Sequence, residues 1–600
     1  MKHAQPAVAR WLVAWCLACA ALLASALATA AILGGPPDTI RIEVDGVDRA
    51  MADNVRAYLS LTRYVTRNDL TDDQVRRLAD RAVDEAADAL RPFGYYDPQV
   101  RSRTSRDGAT WIVRLRIKPG EPVLMREADV SVIGQGSKDP EIGAVMTQNA
   151  LRPGTRLDHA VYEKLKKDLA RTALERGYLD AKLTRHELLV DPPERVADIH
   201  LQLDTGGRYE FGEVTIEQDA IDPKLLQGFI RFTEGQPFSG ERIRSTQFAL
   251  EDSYYFSSVT VTPGERDPAT LTVPVTIRAE RIKPDRYGVS AGFGTDTGPR
   301  GQFKWDRRLV NDSGHRWSFE STVSSVKGEA VARYVIPVGD PTMEKLEFSA
   351  GYTNEELGGL TSERYEIAAS LTHVRGEWQR VLFASLSQEL TRFPGNTDER
   401  SLLLIPGIAI ASLPPNFLTG WVRDAAYYFQ LSGSPTTLGS DASFLRFYAR
   451  AEHVWPIRTG PWYLRLRGEV GASWVDDFSQ LPASQRFFTG GDRSVRGFAL
   501  DSLSPQDPNA NNKGDKGIGG EHMLVGSIEV ERDLPKNFRG AIFFDTGNAF
   551  DDWDTPLEYS VGVGIRWRLP MLLIGIDVAQ ALSEPGKTPR LHLNITQVLL

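Results

Sequence analysis

Beyond its first thirty residues the sequence has no run of about 18 apolar residues, so no helical membrane span is expected there. Cysteine occurs only at Cys16 and Cys19, inside that N-terminal segment. Once the segment is removed the chain carries no thiol and cannot mispair in an oxidising compartment. Positive charge is not in excess: the formal net charge is −9, which argues against nucleic acid as a partner. The nine histidines are scattered without H-x-H or H-E-x-x-H spacing, so no metal site is expected. No phosphate-cradling loop occurs, and no cofactor is expected.

What is present begins with a targeting pattern. Lys2 and Arg10 precede the apolar run Trp11 to Leu27, and Ala28-Thr29-Ala30 supplies a small-x-small cleavage site. Residues 1–30 are expected to be a signal peptide, with a retained anchor as the alternative. Six hundred residues is then too long for one domain.

The first half repeats itself. RPFGYYDPQV around Phe93, LERGYLDAKL around Tyr178 and LEDSYYFSSVTVTP around Tyr255 stand about eighty residues apart. Each follows a helical pattern, as in DDQVRRLADRAVDEAADAL from Asp72 and AVYEKLKKDLARTALERG from Ala160. Each precedes an alternating strand, from Trp111, Val196 or Leu271. The unit is strand, two helices, strand, strand: a small α+β domain with helices on one face of a short sheet. This pattern resembles the POTRA domains of outer-membrane assembly proteins, and the resemblance places POTRA domains at 38–122, 127–207 and 208–283. It implies a sheet edge open to an extended peptide; the alternative is that the repeats are spacers.

From about Arg286 the period changes to two. In FLRFYARAEHVW, Leu445, Phe447, Ala449 and Ala451 share one face, while Arg446, Tyr448, Arg450 and Glu452 share the other. Trp462, Leu464, Leu466, Val470, Ala472 and Trp474 repeat this after the turn. Apolar residues opposite charged ones fit lipid outside and a wet lumen inside, although a sandwich also alternates. The remaining residues, 286–600, allow about 16 antiparallel strands at roughly 20 residues per strand and connection. The expected fold is therefore three small α+β domains followed by an all-β transmembrane barrel.

Ser494-Val495-Arg496-Gly497-Phe498 interrupts the strands. Beside a barrel and three repeats it resembles the V-R-G-F/Y motif of the outer-membrane assembly and translocation superfamily. In that family the motif lies on a long external loop folded into the lumen, and PQDPNANNKGDKGIGG, Pro505 to Gly520, has the composition of such a loop. AIFFDTGNAF carries the related F-x-D-x-G at Phe543, Asp545 and Gly547. The resemblance implies that Arg496 pairs with acidic lumen residues, Asp545 and Glu531 being the candidates. A guanidinium grips a carboxylate bidentately, and Gly497 frees the backbone to turn.

Arg286 to Trp317 resembles the barrel start of the TamA family, the outer-membrane subunit of the translocation and assembly module, as do three repeats in about 600 residues. Leu600 departs from the terminal aromatic common in such barrels. The resemblance implies a weak seam at the first strand, with Tyr287, Val289 and Phe293, that templates an incoming client strand. It also implies periplasmic POTRA domains, a TamB-like inner-membrane partner at POTRA 1, outer-membrane and autotransporter clients, and a part in phospholipid transport. A two-partner secretion pore is the alternative. No enzyme is expected: GVSAG at Gly288–Gly292 matches G-x-S-x-G but is followed by turn chemistry instead of a helix, and Asp-Thr-Gly at Asp204, Asp296 and Asp545 falls in three different settings.

Overall fold

The computed structural model describes residues 40–597 except 66, 68–69, 109, 394–397, 414–424, 458–459, 507–516 and 570–571. The expected signal segment 1–30, Leu600 and most of the stretch 505–520 lie outside the described residues.

In the first repeat, strand Ile40–Asp45 leads to helices Arg49–Tyr58 and Asp72–Asp88, then to strands Gln99–Asp107 and Thr110–Lys118. Capping sets where the helices begin. The Asp48 carboxylate accepts the Met51 amide at 2.9 Å, and Thr71 with Gln74 forms a reciprocal capping box. Val75, Ala79, Ala82 and Ala86 recur at helical spacing and pack on Val113, Leu115 and Ile117, all buried. Burying a Val, Leu or Ile side chain contributes roughly 1.5–3 kcal/mol, so these few residues hold the helices to one face of the sheet. The second repeat has the same order, from Leu124–Ile133 to Val196–Asp204, and the third runs from Glu210–Glu217 to Thr272–Arg281. Each sheet has three strands, with the last strand of the repeat in the centre.

The chain forms two compact units. One holds the first two repeats with Glu234–Glu241 and Glu265–Val273 of the third; the other holds the barrel with Glu213–Thr233, Arg242–Gly264 and the third repeat from Pro274 onward. Within the second unit Arg231 pairs with Asp340 at 2.9 Å, and the Tyr255 hydroxyl donates to the Gly314 carbonyl at 2.7 Å. Both contacts seat the third repeat on turns between barrel strands.

Within the first unit, the Tyr96 hydroxyl and His159 Nε2 lie 2.9 Å apart where the first two repeats meet. Burial pushes the His159 pKa below its ordinary value. The folded junction therefore holds a neutral imidazole, and its stability is complete above the ordinary histidine pKa of about 6.5. As pH falls below that value the unfolded state takes the proton first, and stability is lost. Amide exchange around Gly94–Tyr96 is accordingly expected to speed up between pH 7.5 and 5.5, after correction for intrinsic rates, and the pH dependence should vanish in His159→Gln.

Sixteen strands, from Asp285–Gly294 to Arg590–Gln597, form a closed antiparallel barrel in which every strand neighbours the next in sequence. Strand Phe538–Phe550 shows why the sequence closes this way: Ile542 and Phe544 point out, while Arg539, Phe543 and Asp545 are buried inside. The outward set across the barrel is apolar and exposed, including Val289, Phe348, Tyr365, Leu382 and Trp474, the pattern that hydrocarbon requires of a spanning strand. Strand Glu399–Ser412 departs from it, with Leu403 and Ile405 buried against Ala442, Phe444 and Leu481. This is a small apolar core under the long loop.

Candidate functional site

The segment between strands Trp462–Val475 and His522–Leu534 enters the lumen. Its tip is buried. Val495 and Phe498 pack with Phe487, Leu503, Met523, Val525, Ala549 and Ala581. Gly497 adopts φ +102°, and a Cβ there would lie 3.0 Å from the Ala581 nitrogen and 3.1 Å from the Ser560 Cβ. Only glycine meets both demands. Gly497→Ala is expected to cost about 1–3 kcal/mol of local stability, read as a lower heat-unfolding midpoint on semi-native gels with the barrel still assembled.

Arg496 is 4% exposed and reads three carboxylates. Its Nε donates to Asp545 Oδ2 at 2.7 Å and its Nη2 to Asp545 Oδ1 at 2.9 Å, a bidentate grip. Nη1 lies 3.0 Å from Glu529 Oε2 and 3.8 Å from Asp577 Oδ2. The Ser527 hydroxyl donates to Asp545 Oδ1 at 2.6 Å. The guanidinium carbon lies over Phe543, 3.3 Å from the ring centroid, adding a cation–π contact. Arg566 shares Glu529 and Asp577, so the cluster holds two cations and three anions and its charge is nearly balanced. Gly547 leaves no room for a side chain, since a Cβ would lie 2.7 Å from the Leu524 carbonyl oxygen.

Glu531, expected as a partner of Arg496, is bound elsewhere. It pairs with Arg465 and with Arg539, each at 2.8 Å. The register explains the correction: Asp545 stands opposite Ser527, Phe543 opposite Glu529 and Ala541 opposite Glu531. Each step of two residues moves about 6.8 Å along a strand, which puts Glu529 one step from Asp545 and Glu531 two. Both glutamates face inward at period two, so alternation alone does not choose between them.

The loop has a second anchor that sequence reasoning missed. Glu389, on the seventh barrel strand Trp378–Arg392, accepts the Ser484 amide at 3.1 Å and the Ser362 hydroxyl at 2.8 Å, and also binds the Ser484 hydroxyl. Glu389 is buried although it sits in an ordinary alternating strand. A lone carboxylate on an inward position was the only signal.

At the seam, Asp285–Gly294 pairs at ten positions with Gly298–Arg307. With the closing strand it pairs at two among the described residues, Phe293↔Ile595 and Gly294↔Asn594. Phe293 thus lies on the short ladder, while Tyr287 and Val289 have no seam-side partner among the described residues and are 64% and 73% exposed. Side chains supplement the short ladder. His592 Nδ1 of the last strand lies 3.6 Å from Asp296 Oδ2 in the first turn. The same Asp296 oxygen accepts the Asp492 amide of the loop at 2.7 Å, and the Gly497 amide points at His592 Nε2, 3.4 Å away. Loop tip, first hairpin and last strand therefore meet at one place.

Residues 424–597 match the Omp85 superfamily domain. Residues 41–119 match POTRA domain TamA domain 1, and residues 209–280 match the POTRA model described as surface antigen variable number repeat. The family matches thus fall on the second half of the barrel and on the first and third repeats. Among curated proteins, it is 36% identical over 114 residues to outer membrane protein assembly factor BamA of Nitratidesulfovibrio vulgaris, covering 18% of this chain and 14% of that protein. It is 21% identical over 529 residues to the protein of the same name from Neorickettsia risticii, covering 84% of this chain and 69% of the relative. The crystal structure of BamA from Haemophilus ducreyi lacking POTRA domains 1–3 superposes with a TM-score of 0.63 at 16% identity, over 78% of this chain and 99% of that one.

The hydrolase-like motifs have structural partners. The Ser290 hydroxyl donates to Gln302 within a strand hairpin at 3.1 Å. Asp204 caps its own turn through the Gly206 amide, while Asp296 and Asp545 serve the loop. Among the described residues no group of three or more His, Cys, Asp or Glu side chains could hold a metal ion.

Proposed function

We propose that the chain is a TamA-type outer-membrane factor, its barrel in the bacterial outer membrane and its three POTRA domains in the periplasm. In this reading it assists the insertion or translocation of client outer-membrane and autotransporter proteins. The observation that carries this is the seam, closed among the described residues by two backbone pairs where the adjoining hairpin has ten. An edge this poorly paired offers its N–H and C=O groups to an incoming strand. No nucleotide is needed, because a client releases free energy as it folds into lipid. The relatives named as assembly factors support this reading. A TamB-like inner-membrane protein at the first POTRA domain, with a part in phospholipid transport, completes it.

Photo-crosslinking in cells tests the reading. Probes at Val289 and Phe293 are expected to trap nascent barrel proteins, and a probe at Ile42 to trap a large periplasm-spanning partner. Seam probes that trap a single secreted protein instead would identify a dedicated secretion pore.

A further inference from the structure

The first sheet turns a cationic face to solvent. On the central strand Thr110–Lys118, Val113, Leu115 and Ile117 point to the helices, and Arg114, Arg116 and Lys118 point away. The adjoining edge strand Gln99–Asp107 places Arg101 directly opposite Arg116 and Arg103 directly opposite Arg114. Like charges in directly opposed positions destabilise a sheet, so the arrangement works against the fold that carries it. The far edge strand relieves one member: Arg114 Nε donates to Glu43 at 2.8 Å, and Asp45 lies 3.7 Å away. Among the described residues no carboxylate pairs with Arg101, Arg103, Arg116 or Lys118. Four unneutralised cations on two adjacent strands are unusual in a chain whose net charge is −9.

The strand that carries two of them is a sheet edge nine residues long. One side of its backbone is hydrogen-bonded to the central strand, and the other is open. Arg101 and Arg103 recur at the two-residue period of a strand, about 6.8 Å apart. An extended chain laid on this edge puts every second side chain over the same face and in step with the arginines. The other repeats lack this feature. The corresponding edge of the second, Lys182–Asp191, neutralises Arg185 with its own Glu187, and that of the third, Phe256–Pro263, carries no charged residue.

We infer that the edge Gln99–Asp107 and its arginine face form a docking surface for a protein segment that is extended and bears Asp or Glu at alternate positions. The open backbone row gives register and the cations select the charge. A protein segment satisfies both, whereas an anionic membrane satisfies only the second. The inference rests on the first repeat as a partner-binding element and needs nothing of the seam, so the two can fail separately.

The test is a titration of the full chain in detergent micelles with a fluorescent nine-residue peptide of alternating Val and Glu, beside a Val/Gln control. The Val/Glu peptide is expected to bind at least tenfold more tightly than the control and to weaken as salt rises. It should protect the Gln99–Asp107 amides from exchange. Arg101→Glu/Arg103→Glu should abolish binding, the milder Arg101→Gln/Arg103→Gln should weaken it severalfold, and Lys182→Glu on the second edge should leave it unchanged. Equal affinity for both peptides, or indifference to the arginine variants, overturns the inference. So does failure of the peptide to bind when phosphatidylglycerol vesicles bind through the same arginines.

Discussion

Arg496→Ala is expected to leave the sixteen strands assembled and the long loop released from the lumen. The arginine is the ion-pair partner of Asp545, a fully buried carboxylate whose other hydrogen bonds among the described residues come from the Ser527 hydroxyl and the residue-496 amide. Breaking a buried pair by removing one partner costs about 3–5 kcal/mol, because the remaining charge is stranded. Arg566 still serves Glu529 and Asp577, so the stranded charge is Asp545. The heat-unfolding midpoint on semi-native gels should fall sharply, and external protease should begin to cut residues 476–521 in whole cells. Arg496→Lys should recover only part of the loss, since an ammonium cannot reproduce the two-pronged grip. A second change, Asp545→Leu in the alanine variant, removes the stranded charge and should restore stability without restoring client handling. If Arg496→Ala keeps both a protected loop and full function, the pair is a bystander.

Joining Phe293→Cys to Ile595→Cys is expected to abolish function while it is oxidised and to restore it on reduction. The two residues are directly opposed across the short ladder. Such pairs bring Cα atoms to about 4.5–5.5 Å, within the span of a disulfide. Native cysteine occurs only at Cys16 and Cys19, so few competing thiols complicate the reading. The control is Val289→Cys with Phe303→Cys, opposed within the ten-position hairpin. It should form its bond and leave function intact, because that ladder has no need to part. Client insertion at least tenfold lower in the oxidised seam variant, with the control unaffected, supports lateral opening. Full insertion through a completely oxidised seam eliminates it.

Much of this was legible in the sequence, and the reasons differ by element. Inward and outward positions of the barrel follow from period two, and Phe544 beside Asp545 shows how hydrocarbon and lumen sort a strand. The three repeats declared themselves by helices ending in Gly-Tyr or its variants, with strands at a fixed distance beyond. The loop tip was legible through its resemblance to the V-R-G-F/Y motif, and the left-handed φ of Gly497 shows why a glycine stands there. Choosing Glu531 over Glu529 failed because register depends on how two strands slide past each other, a long-range property that no local pattern carries. His592 and Glu389 escaped for a related reason. Each is a single polar residue at an ordinary inward position, and only the path of the loop gives it a partner. Leu403 and Ile405 read as misplaced apolar residues until Leu481 is seen covering them.

Among its attachments to the wall, the long loop grips Glu389 on the seventh strand and Asp545 on the thirteenth. It is therefore a spoke between distant parts of the rim. A ring with a spoke does not widen freely: parting the seam far enough to admit a strand loads Ser484 at one end and Arg496 at the other. The barrel has two ways to yield, letting go at one fastening or turning the wall about the other. The ends are unequal, since Ser484 offers an amide and a hydroxyl where Arg496 offers a charge. Under load the serine end is expected to give first, leaving the arginine still seated beside the opening.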